Sequence, residues 1–291
     1  MEPPPTGREF RDEELLGATF DHVDLSGSRW NRVDLTGSTL RSVDLTEVDI
    51  RNVAITQARV RGAYLSDVEI WGEVERVSIN GVDVGALVEA ELDRRHPERR
   101  AMHPTDPAGY REAWKVLDGL WGGTVERARA LEAIHPGVLH ESVEGEWSFI
   151  ETLRHLAFAT SSWLSRAIEG DPSPWHPLEL PWDEMRETPG VPRDRTARPS
   201  LDEALALRRD RFERVRAFLA SLTEETLAGR TSPAEGVGWP PAGESFPVRE
   251  CLDTLLNEEW WHRQFAERDL AVLEARSDAD SSGRHTTVEE S

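Results

Sequence analysis

Ala18-Thr19-Phe20-Asp21-His22-Val23-Asp24-Leu25-Ser26-Gly27-Ser28-Arg29-Trp30 repeats itself every five residues. Phe20, Leu25 and Trp30 open a series of large apolar residues that continues through Leu35, Leu40, Leu45, Ile50, Ile55, Val60, Leu65 and Ile70. Two residues before each stands a small or β-branched one: Ala18, Val23, Ser28, Val33, Ser38, Val43, Val48, Val53, Ala58, Ala63 and Val68. The positions between are mostly Asp, Ser, Thr, Gly, Asn and Arg. A helix asks for apolar spacing of three and four, and a strand for two. A period of five fits neither. It predicts a square coil in which each pentapeptide forms one side, the large residue and its small partner pointing inward. Stacked coils pair each backbone group with the next coil and build a narrow core. No proline occurs between Pro5 and Pro97, as a closed ladder that needs its N–H groups requires.

The stretch resembles the pentapeptide-repeat family, which implies an all-β right-handed quadrilateral β-helix over residues 16–84, after a flexible N-terminus at 1–15. Some members are acidic rods that mimic DNA. Residues 16–84 hold 11 acids and 7 arginines, 7 − 11 = −4, and their eleven sides make fewer than three coils. A structural or docking module is therefore expected instead. After Ile70 the register breaks, and Val77, Ile79, Val82 and Val84 read as a capping strand. Residues 85–100 read as a linker helix, helical over 85–95, with His96-Pro97 starting the linker itself. In such an inward-facing core, Leu45→Asp is expected to cost about 2–5 kcal/mol.

The 291 residues suffice for two modest domains. Bases minus acids is 34 − 55 = −21, a surface that repels phosphate backbones and anionic membranes. Neither nucleic acid nor membrane is an expected partner. One cysteine allows no internal disulfide. There is no apolar run long enough to span a bilayer, and the acidic, proline-rich start lacks the pattern of a signal peptide. A cytoplasmic location is expected. Lys115 is the only lysine, which points to a GC-rich, actinobacterium-like genome.

Nine of the eleven tryptophans lie beyond residue 100, where four helix-like segments begin. They run over about 107–133, 148–169, 201–221 and 246–275, opening at Asp106-Pro107 and, for the third, at the capping box Ser200…Glu203. Proline- and glycine-rich loops, 171–199 and 222–245, join them. The pattern predicts an all-α four-helix bundle over 101–275, a fold whose core hosts metal sites, and a disordered tail at 276–291. In the second segment His155 lies beside the apolar face of Leu156, Phe158 and Ala159. In the fourth, Asn257-Glu258-Glu259-Trp260-Trp261-His262 places Glu258 and His262 about one turn apart on one face. Such a pair can grip one cation. A third ligand from a facing helix would complete a site with an open position.

Gly145-Glu146-Trp147-Ser148 leading into Thr152-Leu153-Arg154-His155-Leu156, with Asn257 to His262 leading into Arg268-Asp269-Leu270, resembles the DinB/YfiT-like superfamily of metal-binding four-helix bundles. Its members take one ligand from the second helix and two, four apart, from the last. His155, Glu258 and His262 match the His-Glu-His branch that includes the mycothiol-dependent maleylpyruvate isomerases. Those enzymes carry a C-terminal domain that is not read here after 275, so the isomerase reaction is not the expectation. The resemblance implies a divalent metal, zinc first and nickel, manganese or iron otherwise. It also implies a low-molecular-weight thiol co-substrate such as mycothiol or bacillithiol, and an electrophilic small molecule.

Beside the ligands, Trp163, Trp175, His176 and Trp261 are candidate pocket residues. Cys251 reads as a small buried apolar residue. Three functions are open: a metal-dependent thiol S-transferase, a metal hydrolase with the same ligands, and a non-enzymatic protein docking through the solenoid. A homodimer or a protein partner would use the solenoid.

Overall fold

The computed structural model describes residues 17–31, 33, 38–51, 53, 55, 60–72, 74, 76–183 and 185–285. Leu35 and Ala58 of the repeat, the N-terminus to 15, and the tail from 286 lie outside these residues. The chain divides into two compact units, Met1–Glu73 and Val74–Ser291.

In the first unit the strands are three residues each: β1 (Thr19–Asp21), β2 (Arg29–Asn31), β3 (Thr39–Arg41) and β4 (Asp49–Arg51). β1 pairs in parallel with β3, Phe20 opposite Leu40, and β2 with β4, Trp30 opposite Ile50. The offset is twenty residues, four pentapeptides. Left-handed corners recur with the same spacing: His22, Ser42 and Gly62 form one series, Gly27, Glu47 and Asp67 another.

The expected inward core is corrected beyond the first coil. Phe20, Leu25 and Trp30 are half-buried. Leu40, Leu45 and Ile50 are 37–38 % exposed, and Ile55, Val60, Leu65 and Ile70 are exposed further. The small partners Val43, Val48 and Val53 remain half-buried. Each coil is covered only by its neighbours, and among the described residues no strand pairs with the far edge of β3 or β4. A charge at 45 therefore reaches water. Leu45→Asp is now expected to cost about 1 kcal/mol or less, measured as a shift in the urea midpoint. A loss of several kcal/mol would restore the buried position.

The second unit opens with a hairpin where a capping strand was expected. β5 (Ser78–Ile79) runs antiparallel to β6 (Val82–Asp83). Asn80 and Gly81 turn between them with φ of 51° and 83°, the left-handed pair that a two-residue hairpin needs. α1 (Gly85–Arg95) and a 3-10 turn (Pro97–Met102) follow. Buried Arg99 ties the two together through Glu89 and Asp93, the latter at 2.8 Å. The turn packs on the helices Pro107–Ile134 and Val248–His285, so 85–100 belongs with the helical unit.

The long helices are α2 (Pro107–Ile134), α3 (Phe149–Thr160), α4 (Leu201–Ser221) and α6 (Val248–His285). α3 packs on α4 and α6, and α2 on both as well. Side-chain caps start three of them. Asp106 accepts from Gly109 N, while Ser148 with Glu151 and Ser200 with Glu203 form reciprocal boxes.

Three expectations change. α3 runs on as a π-helix over Ser161–Ile168, where Ser161, Ser162 and Ser165 are buried. The 222–245 loop contains α5 (Glu224–Ala228), capped by Thr223. α6 continues past 275 to His285, where the tail from 276 was expected to be disordered. Among the described residues no helix is long and apolar enough to cross a membrane.

Candidate metal centre

His155 comes from the middle of α3, and Glu258 and His262 from one face of α6. Contact between these two helices brings them together. One ligand-type atom from each lies within 4.8 Å of the other two. Glu258 Oε2 stands 3.0 Å from His262 Nε2 and 3.3 Å from His155 Nε2. His155 is buried and His262 and Glu258 are partly buried.

Orientation follows from the partner on the far side of His155. Its Nδ1 lies 3.1 Å from the carbonyl of Leu180. A carbonyl oxygen only accepts, so Nδ1 carries the hydrogen and Nε2 is the nitrogen turned to the cluster. This is the backing that a ligating histidine takes.

Burial alone would raise the Glu258 carboxyl. Hydrogen bonds and charge from His155 and His262 outweigh it and hold the group well below the usual carboxylate range. Burial lowers His262, and Glu258 opposes that only in part. Both groups therefore favour their metal-ligating forms. The donor set, two imidazole nitrogens and a carboxylate, suits zinc and the divalent first-row metals.

Aromatic rings enclose the cluster. Trp147 lies 4.5 Å from the His155 ring, between centroids, and stacks on His262 at 5.7 Å with 9° between planes. Its indole N–H donates to Asp183 Oδ1 at 3.3 Å. The role of Trp147 was not read from the sequence, although it sits directly before the Ser148 cap that fixes its position. Phe265 meets His262 edge-on at 6.0 Å.

The four proposed pocket residues are not brought to the ligands in ring contact. Trp175 stacks on Phe158 at 5.4 Å, and Phe158 in turn lies 6.3 Å from His155. Trp163 meets Phe246 at 5.4 Å and packs on the core. Trp261 stacks on Phe265 at 6.2 Å, while its neighbour Trp260 is the buried one of the pair. His176 Nδ1 accepts from Leu178 N at 3.2 Å and shapes its own loop. From Phe158 the aromatic series continues to Trp182 at 6.2 Å and on to Trp239 at 5.0 Å, joining the two long loops.

Glu259 faces away from the cluster. It is buried against Arg208 at 2.8 Å; burial raises its carboxyl and Arg208 opposes that. Cys251 is fully buried, and burial pushes its thiol up to about 12. No thiolate chemistry follows from it. A disulfide reagent is expected to leave Cys251 untouched in native protein and to label it on unfolding in urea. Rapid labelling of the native chain would contradict this burial.

The fold and the cluster define a helical protein with a His-Glu-His group able to hold a metal ion. The DinB superfamily model matches residues 84–266, more than half of the chain, and the chain belongs to that superfamily. Pentapeptide repeats match residues 14–52 and 31–67. No curated protein and no solved structure matches the chain at a significant level.

Proposed function

We propose that the protein is a metal-dependent S-transferase that joins a low-molecular-weight thiol, mycothiol or a close analogue, to an electrophilic small molecule. The observation that carries the reading is the convergence of His155, Glu258 and His262, with His155 Nδ1 turned out to Leu180. Three ligands leave room for a further one. A divalent metal held there would supply Lewis acidity and favour the thiolate at neutral pH, against an ordinary thiol pKa of about 8.5.

The chain's own residues supply the rest. His155 and His262 contribute neutral nitrogens. Glu258 adds one negative charge, so a sulfur beside the metal would keep more electron density than in a three-histidine site. Trp147 and Phe265 limit water around the ligands. Half-buried Trp182 and Trp239 offer an apolar surface suited to an aromatic electrophile. Glu259, paired with Arg208, does not serve as the base a hydrolase needs. The fold reading that accompanies this is a four-helix bundle carrying the chemistry and a quadrilateral β-helix serving as a docking module, in the cytoplasm.

The test is incubation of zinc-loaded protein with mycothiol and a panel holding a chlorodinitrobenzene-type compound and an epoxide. The rate is expected to require both thiol and metal and to collapse in His262→Ala. A rate equal to background across the panel would count against conjugation. Turnover without thiol would favour hydrolysis.

A further inference from the structure

We infer that Glu179, which touches none of the three ligands, is a positioning residue for His155. This rests on the reading of His155, Glu258 and His262 as a metal site.

Glu179 is 0 % exposed, in the loop after α3, far in sequence from any other acid of the site. Its Oε1 takes two hydrogen bonds, from Ser161 Oγ at 2.6 Å and from Arg211 Nε at 2.9 Å. Ser161 opens the π-helical turn and Arg211 lies on α4, so the carboxylate ties the loop to two helices. Its own N–H donates to His176 O at 2.9 Å. The other oxygen, Oε2, is buried without a hydrogen-bond partner. A buried carboxylate left half-satisfied is a costly way to fill space, and such a group calls for a reason beyond packing.

The next residue supplies that reason. Leu180, also fully buried, donates its N–H to Arg154 O at 3.3 Å and offers its carbonyl to His155 Nδ1. On the other side Arg154, buried as well, donates to the carbonyl of Leu178 at 2.6 Å. The backbone of 178–180 is thus held by the Arg154 guanidinium before Glu179 and by the Glu179 carboxylate within it. The carbonyl so fixed sets the ring angle of His155 and keeps the hydrogen on Nδ1. Partners of this kind behind a ligating histidine change metal affinity when removed. Releasing Glu179 lets the Leu180 carbonyl drift and the ring with it.

The experiment is a chelator-competition titration of zinc, repeated with cobalt for its visible spectrum, on the full chain. Glu179→Ala is expected to weaken metal binding by about 3–10-fold, less than the loss of a group bonded directly to a ligand, and to alter the cobalt bands. Glu179→Gln, which keeps an acceptor for Ser161 and Arg211, is expected to restore most of that affinity. Leu219→Ala, a buried apolar truncation in the core, serves as a stability control and is expected to leave the metal titration unchanged. Wild-type affinity and spectrum in folded Glu179→Ala would overturn the inference. Should that variant fail to fold, Ser161→Ala decides: weaker binding supports the inference and unchanged binding overturns it. Failure of the wild-type chain to bind either metal would instead remove the metal reading, a result separate from both.

Discussion

His262→Ala is expected to lower the affinity for a divalent cation by more than about a hundredfold, since it removes a ligand rather than the backing of one. The loss should not reflect unfolding. His262 is partly exposed, with a side-chain exposure of 20 %, and its backbone lies mid-helix where alanine is favoured. Protons compete for the same lone pairs. His262 is lowered chiefly by burial and Glu258 is held down by its histidine partners. Both stay deprotonated at a pH where free histidine, near about 6.5, begins to protonate. Proton competition at these two ligands is therefore expected to weaken binding only as pH drops well below that value. Chelator competition at several pH values checks both parts. An alanine variant with undiminished affinity would show that His262 is not a ligand.

Arg166→Ala is expected to destabilise the helical unit by about 3–5 kcal/mol. The side chain is 0 % exposed and, among the described residues, has no carboxylate partner in hydrogen-bond contact; it donates instead to four backbone carbonyls. Those are Pro172 and Pro240 at 2.8 Å, Gly236 at 2.8 Å and Glu235 at 3.0 Å. One guanidinium thus pins both long loops to the end of α3. The fit is close: a Cβ at Gly238 would fall 2.7 Å from the guanidinium carbon, so a side chain there would push the guanidinium off its carbonyls. Removal strands the buried Pro240 carbonyl and the part-buried carbonyls of Pro172, Glu235 and Gly236. Arg166→Lys is expected to recover less than half, because an ammonium cannot reach carbonyls on several sides at once. Urea unfolding followed by tryptophan fluorescence measures the loss. A change below about 1 kcal/mol would mean that the loops are held by other contacts.

The arithmetic of spacing carried the reading furthest where geometry depends on sequence distance alone. The five-residue period foretold pairing at an offset of twenty, seen in Thr19 opposite Thr39. Glu258 and His262, four apart, had to share a face of α6. The capping box at Ser200 marked one helix start to the residue. Placing His155 with Glu258 and His262 took the motif resemblance, because periodicity does not say which helices face each other.

What escaped depends on contacts distant in sequence. The Leu180 carbonyl behind His155 is a backbone group, and any residue there carries one. Trp147 on His262 follows from how α3 meets α6. The four carbonyls on Arg166 come from loops whose path no period encodes. Two misses did have local signals: Asn80-Gly81 between Ile79 and Val82 is hairpin chemistry, and Thr223-Glu224-Glu225 is a helix start. Ile55, Val60, Leu65 and Ile70 show the opposite case, exposed residues that keep the pattern in sequence while the described strands of the first unit end at Arg51.

The central claim is that three side chains from two helices form one divalent-metal site. Equilibrium dialysis of the purified folded chain against zinc, followed by elemental analysis, tests it most directly. The account predicts one tightly held ion per chain, absent when His155, Glu258 and His262 are all replaced by alanine. A folded wild-type chain that retains no zinc, nickel, manganese or iron, or a triple variant that retains its ion unchanged, would contradict it.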